Sequence, residues 1–139
     1  MSVGYTKQIQ LSLILDHNPG RFAEICDLLY SRGVDIRAMN GTSNTDFAIM
    51  RMVVDQANVA SEALEAEGIP FIQSEVLAVE VQNKPGMAAG LGHRLAQAGI
   101  NIEYSYFSAG EPGTQALMVF RILDLDRALT LLSQPTGYN

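Results

Sequence analysis

Shifting the 139-residue sequence by 66 positions lays it on itself: Pro19 falls on Pro85, Gly20 on Gly86 and, without a gap, Gly33 on Gly99. In the same frame Leu11, Leu13 and Leu15 meet Leu77, Val79 and Val81, while Ala23, Leu29 and Ile36 meet Ala89, Leu95 and Ile102. One such match is accidental, but a gapless run at apolar and turn positions marks a duplicated unit, which has to fold twice with one set of instructions. The length equals one ordinary domain of roughly 100 to 200 residues or two very small ones. With 47% hydrophobic residues there is enough apolar material for a core in each copy.

Each copy opens on an alternating stretch. Leu11, Leu13 and Leu15 alternate with Gln10, Ser12 and Asp16, as Leu77, Val79 and Val81 do with Ala78, Glu80 and Gln82, the period of a half-buried strand. Pro-Gly ends that strand. Phe22, Ile25, Cys26 and Leu29, and likewise Ala88, Leu91 and Leu95, then recur at helical spacing up to Gly33 or Gly99, where a left-handed cap is wanted. A second strand follows on Val34, Ile36 and Ala38, or on Ile100, Ile102, Tyr104 and Tyr106. The clusters "GTSNTD" (41–46) and "SAGEPGTQ" (108–115) close hairpins leading into "FAIMRMVV" and "ALMVFRIL", with the second hairpin expected to be longer by three or four residues.

"NVASEALEAEG" and "DRALTLLSQ" supply a second helix in each copy, and "IPFIQSEVLAVEV" is at once the last strand of the first copy and the first strand of the second. The order strand, helix, strand, strand, helix, strand is the ferredoxin-like plan of an antiparallel sheet with helices on one face, an α+β fold divided into modules at 1–75 and 76–139. The second module stops short. Only "PTGYN" follows Gln134, so its sheet has either an open edge or a borrowed strand.

Several function classes are disfavoured. A net charge of −6 with nine scattered basic residues is wrong for a phosphate backbone, so no nucleic-acid partner is expected. Tyr104, Tyr106 and Phe107 read as core or interface rather than a base-stacking platform. The two histidines, His17 and His93, form no metal-ligand spacing with each other or with Cys26, which sits in an apolar pattern as a buried packing residue. No metal, cofactor or catalytic nucleophile is expected, and the chain is read as not an enzyme. Apolar runs fall far short of the roughly 20 residues of a membrane helix, and residues 1–8 lack a secretion signal, so no membrane contact and a cytoplasmic location are expected. Met50, Met52, Met87 and Met118 read as core filler.

The segment "NKPGMAAGLGHRLAQAGINIEY" resembles an ACT domain, the regulatory module of enzymes of amino-acid metabolism, through Asn83, Pro85, Gly86, Gly99, Asn101 and Ile102; "DHNPGRFAEICDLLYSRGVDIRAM" is a looser copy. The resemblance covers nearly the whole chain and is to the free-standing tandem ACT proteins. It implies an amino acid held between modules, Asn83 and Gly86 facing Asp35, and His17 and Gly20 facing Asn101.

Elementary physics suits that expectation. Where a helix starts after Pro-Gly, the N–H groups of Gly20, Arg21 and Phe22, or of Gly86, Met87 and Ala88, lack helical partners and carry the positive dipole end. A carboxylate fits there, and the Asp35 carboxylate or an Asn83 or Asn101 amide suits an ammonium. Asp16, His17 and Asn18 complete the first loop, with Asn18 equally readable as a helix cap and Arg21 as a partner of a ligand or of Glu24. His17 and Asp35 stand where the second copy has Asn83 and Asn101, so one site is expected to be the better. The expected function is an amino-acid-binding regulator, most simply a homodimer acting on itself or on a partner enzyme. The alternative is an assembly module that binds nothing small.

Overall fold

The computed structural model describes residues 3–134. The elements run β1 (Gly4–Leu15), α1 (Arg21–Ser31), β2 (Ile36–Ser43), β3 (Ala48–Val54), α2 (Ala57–Ala66), β4 (Phe71–Gln82), α3 (Met87–Gln97), β5 (Tyr104–Ser108), β6 (Gln115–Arg121) and α4 (Leu125–Ser133). This is the expected α+β fold of two ferredoxin-like modules. The first compact unit is Ile9–Ser74, and the second joins residues up to Gln8 with those from Glu75 onward.

In the first module the strands lie in the order β2-β3-β1-β4. Antiparallel pairing sets Leu11 opposite Met52 and Leu13 opposite Met50, and the Ile14 N–H donates to the Pro70 carbonyl at 3.0 Å. Because successive strand residues face opposite sides, Leu11, Leu13, Leu15, Met50 and Met52 share one face. Helix α1 lays Ile25 and Leu29 on that face and α2 lays Ala60 and Leu64 there, all buried. Each fully buried leucine contributes about 1.5–3 kcal/mol relative to exposure.

The second module repeats the plan in the order β5-β6-β4-β1. Leu77, Val79 and Val81 meet Phe120, Met118 and Ala116 across the ladder, under Leu91 and Leu95 of α3 and Leu125, Ala128 and Leu132 of α4. Its fourth strand is not drawn from its own copy of the repeat. Residues 4–8 of β1 fill the place: Val3 and Tyr5 pack against this core, Gly4 lies beside Glu80, and the Lys7 ammonium pairs with Asp126 at 2.8 Å and Glu75 at 3.5 Å. The chain's first strand thus serves as the borrowed strand, which relieves β4 of an open edge. The segment 135–139, read as too short for a strand, lies outside the described residues.

Several local expectations are corrected. Leu11 pairs with Met52 and its counterpart Leu77 with Phe120, so the second hairpin is longer by two residues, not three or four. An insertion of three would have turned the following strand inside out, since a shift by an odd number exchanges the faces. Strand β2 runs on to Ser43 into the expected turn, which Asn44 closes by accepting from the Asp46 and Phe47 N–H groups at 2.8 and 3.0 Å. The alternation from Ile100 becomes a strand only at Tyr104. Cys26 is half-buried rather than buried, and its thiol is shifted up by burial and then by Asp27. Met50, Met52 and Met118 are core residues as expected, with Met87 packed on the rim of the second core.

Candidate functional site

The two Pro-Gly loops have the same local geometry. Gly20 has φ 90° and ψ −9°, Gly86 φ 89° and ψ −7°, a left-handed conformation that only glycine adopts without strain. In both loops the first helical N–H turns back, Arg21 onto the Asn18 carbonyl (3.1 Å) and Met87 onto the Lys84 carbonyl (3.4 Å). The fourth closes on the glycine, Glu24 onto Gly20 (3.0 Å) and Gly90 onto Gly86 (2.9 Å). Neither helix has a side-chain cap, so Asn18 is not the cap it was equally expected to be. The N–H groups of Gly20 and Phe22, and of Gly86 and Ala88, therefore find no acceptor among the described residues.

Each loop is latched to the hairpin of its own module. The Asn83 Nδ2 donates to the Gly110 carbonyl at 2.9 Å, and His17 Nε2 bonds the Asn44 carbonyl at 2.7 Å. His17 and Asn83 are counterparts in the 66-residue frame, and so are Asn44 and Gly110. The exchange of histidine for asparagine thus preserves the bond, because a ring N–H and an amide N–H are both donors. The second loop is clamped further: the Asn83 N–H donates to Thr114 and the Gly113 N–H to Asn83, both at 2.7 Å, and Gln82 Nε2 donates to the Gly113 carbonyl at 2.9 Å.

Electrostatics separate the two. In the first loop Arg21 reaches Asp16 Oδ1 through Nε at 2.9 Å and Glu24 Oε2 through Nη1 at 3.0 Å. Its guanidinium holds the Asp16 carboxyl below its ordinary value of 3.8, and Asp16 in turn raises Arg21. Arg21 is thereby engaged by two carboxylates, which also repel a ligand anion. The second loop has Met87 in place of Arg21, Ala88 in place of Phe22 and Lys84 in place of Asn18. Behind it opens a cavity of about 180 Å³ with Asn83, Lys84, Gly86 and Ala88 at one side and Phe107, Ala109, Ala116 and Met118 at the other. No acidic residue lines it. Phe107 is 48% exposed and leans on Phe120 with ring centroids 5.7 Å apart.

Of the residues singled out in the sequence, the structure gathers Asn83, Gly86, Met87 and Ala88 around this one cavity, and Asp16, His17, Asn18, Gly20, Arg21 and Phe22 into the first loop. Asp35 and Asn101 are exposed beyond the C-terminal ends of α1 and α3. Each of these helices has 11 residues, about 16 Å of rise, so neither residue shares a site with the loop of its own module. Asp35 is braced by its backbone: its N–H donates to Asp55 Oδ1 at 2.8 Å and its carbonyl accepts from the Asp55 N–H at 3.1 Å. Lys84, Ala109 and Ala116 are not marked by any signal in the sequence, and Phe107 and Met118 are expected there only as core or interface residues, not at the site. Only correct pairing of the longer hairpin would have brought the last four to the loop. Among the described residues no cluster of metal-binding side chains occurs, and no helix is long and apolar enough to cross a membrane.

Comparison with known proteins agrees with this architecture. A crystal structure of a Bacteroides thetaiotaomicron protein superposes with a TM-score of 0.83 at 27% identity, over 92% of this chain and 88% of that one. The regulatory subunit of aspartate kinase from Thermus thermophilus gives 0.65 at 21% identity, over 94% and 93%. Its equivalent from Thermus flavus gives 0.66 at 21%, over 95% and 93%. At these identities the two subunits show a shared fold. No curated protein matches the sequence. Residues 6–134 match the family described as the ACT domain pair, and the chain belongs to that family.

Proposed function

We propose that this ACT domain pair is a non-catalytic cytoplasmic regulator that binds a free α-amino acid and thereby changes its association with itself or with a partner enzyme of amino-acid metabolism. The observation that carries the reading is the second loop, where uncapped N–H groups of Gly86 and Ala88 stand at the mouth of a cavity lined by no acid. A ligand carboxylate takes those N–H groups at the positive end of α3, with Lys84 adding charge. Since Asn83 spends its Nδ2 on Gly110, its Oδ1 is left to accept from the ligand ammonium.

Asp35 and Asn101 lie too far from the loops of their own modules, so we assign them to the loop of another module, Asp35 to the Asn83–Gly86 loop and Asn101 to the His17–Gly20 loop. The first loop is then the weaker site, because Asp16 and Glu24 already occupy Arg21. Regulation follows from differential binding: the ligand favours whichever assembly, a homodimer in the simplest case, gives it extra contacts. The aspartate kinase regulatory subunits that share the fold make such an enzyme a reasonable class of partner.

A thermal-shift screen of the twenty amino acids followed by calorimetry tests this, since a ligand of the folded state raises apparent stability. One or a few amino acids should respond, and Asp35→Ala should weaken the response. Absence of any response would instead favour an assembly module, a reading supported by the exposed Phe22 and Ile72 at 58% and 57%.

A further inference from the structure

We infer that the cavity of the second module selects the ligand's side chain, and that it takes an unbranched or γ-branched aliphatic or thioether chain, such as leucine or methionine, in preference to a charged or hydroxylated one. The inference rests on the proposed amino-acid site. The cavity, about 180 Å³, holds the volume of roughly six liquid waters, which a single amino-acid side chain with its backbone fills.

Its inner wall is Val81, Met87, Phe107, Ala116 and Met118, with no carboxylate and no hydroxyl on any lining residue. An ammonium-bearing side chain meets no carboxylate there, and a side-chain carboxylate would have to compete with the ligand's own for Lys84, the one charged lining residue, so either is desolvated without full compensation. Methionines and an aromatic edge suit an aliphatic or thioether group.

The two copies show what keeps the space open. Val81 of the second module replaces the buried Leu15 of the first, so a smaller residue stands at the cavity wall, while Ala88 at the rim replaces the largely exposed Phe22. Ala109, exposed, stands at its mouth where the first copy has Ser43. Val81 and Ala109 are thus the specificity-determining positions.

Each methylene buried is worth about a fourfold gain in affinity, so leucine should bind roughly 50-fold tighter than alanine. Calorimetry on the full chain with L-alanine, L-leucine, L-methionine, L-serine, L-lysine and L-aspartate reads this directly. Val81→Leu, which installs the buried residue that the first module already carries, and Ala109→Phe, on an exposed hairpin position, should each lower the leucine-to-alanine affinity ratio. Tightest binding of lysine, serine or aspartate would overturn the selectivity and leave the amino-acid reading standing. A preference for leucine over alanine that neither variant changes would overturn it in the same way. Failure of all six would overturn the selectivity, and failure of all twenty in the thermal-shift screen would overturn both.

Discussion

Replacing Gly86 by alanine isolates the conformational demand at the heart of the second loop. Its φ of 89° is left-handed, and a Cβ built there meets no atom within 4 Å, so no steric clash contributes. The whole cost is the backbone penalty of an L-residue in that region, about 1–2 kcal/mol. Gly92 provides the internal control. It lies inside α3, its φ is not positive, and its added Cβ likewise meets nothing within 4 Å. Gly92→Ala should therefore stabilise by about 0.5–1 kcal/mol through lower unfolded-state entropy and better helix propensity. The two alanines, six residues apart, should differ by roughly 1.5–3 kcal/mol, read as urea midpoints on either side of the wild type. Gly20→Ala, with φ 90° and the same empty surroundings, should lose as much as Gly86→Ala. Only Gly86→Ala should also weaken the stronger amino-acid response, because it re-aims the N–H groups. Equal midpoints for Gly86→Ala and wild type, or destabilisation by Gly92→Ala, would refute the reasoning.

Other outcomes follow from particular contacts. Deleting residues 1–8 should strip protection in hydrogen exchange from those amides of residues 75–82 in β4 that face β1 rather than β6, while leaving β2 and β3 of the first module protected; unchanged protection would contradict the borrowed strand. His17→Asn should keep the latch to the Asn44 carbonyl and match the wild type, whereas His17→Ala should cost about 0.5–1 kcal/mol, measured by thermal unfolding. Because Arg21 lowers the Asp16 carboxyl, its contribution is present above the ordinary value of 3.8 and disappears as pH falls through the lowered one. Asp16→Asn should thus differ from wild type at pH 7 and converge with it in acid, and a gap that widens on acidification would reverse the sign. Leu95→Ala, fully buried on the inner face of α3, should destabilise by about 2–5 kcal/mol in urea unfolding.

The latches suggest how the modules keep one geometry with two sequences. His17 and Asn83 differ in size and charge capacity, yet each donates to a hairpin carbonyl at the same place in the repeat. What duplication has preserved is a donor in a fixed direction. The loop it holds carries different neighbours, two carboxylates around Arg21 in one copy and Lys84 with an acid-free cavity in the other.

Much of this protein was readable from the chain because the relevant signals are local. Alternation at Leu11, Leu13 and Leu15, helical spacing at Ile25 and Leu29, and Pro-Gly followed by a helix each depend on neighbours a few residues away, and the repeat doubled every one of them. Gly4–Gln8 gave no such sign, being mostly polar, and becomes a strand only because β4 offers it a ladder some seventy residues further along. The hairpin offset of two, the bond from His17 to a carbonyl 27 residues on, and the placing of Phe107 and Met118 behind Gly86 were likewise decided by pairing register. Local sequence sets which conformations are cheap; which distant residues share a pocket depends on long-range contacts, and those are settled only when the whole sheet closes.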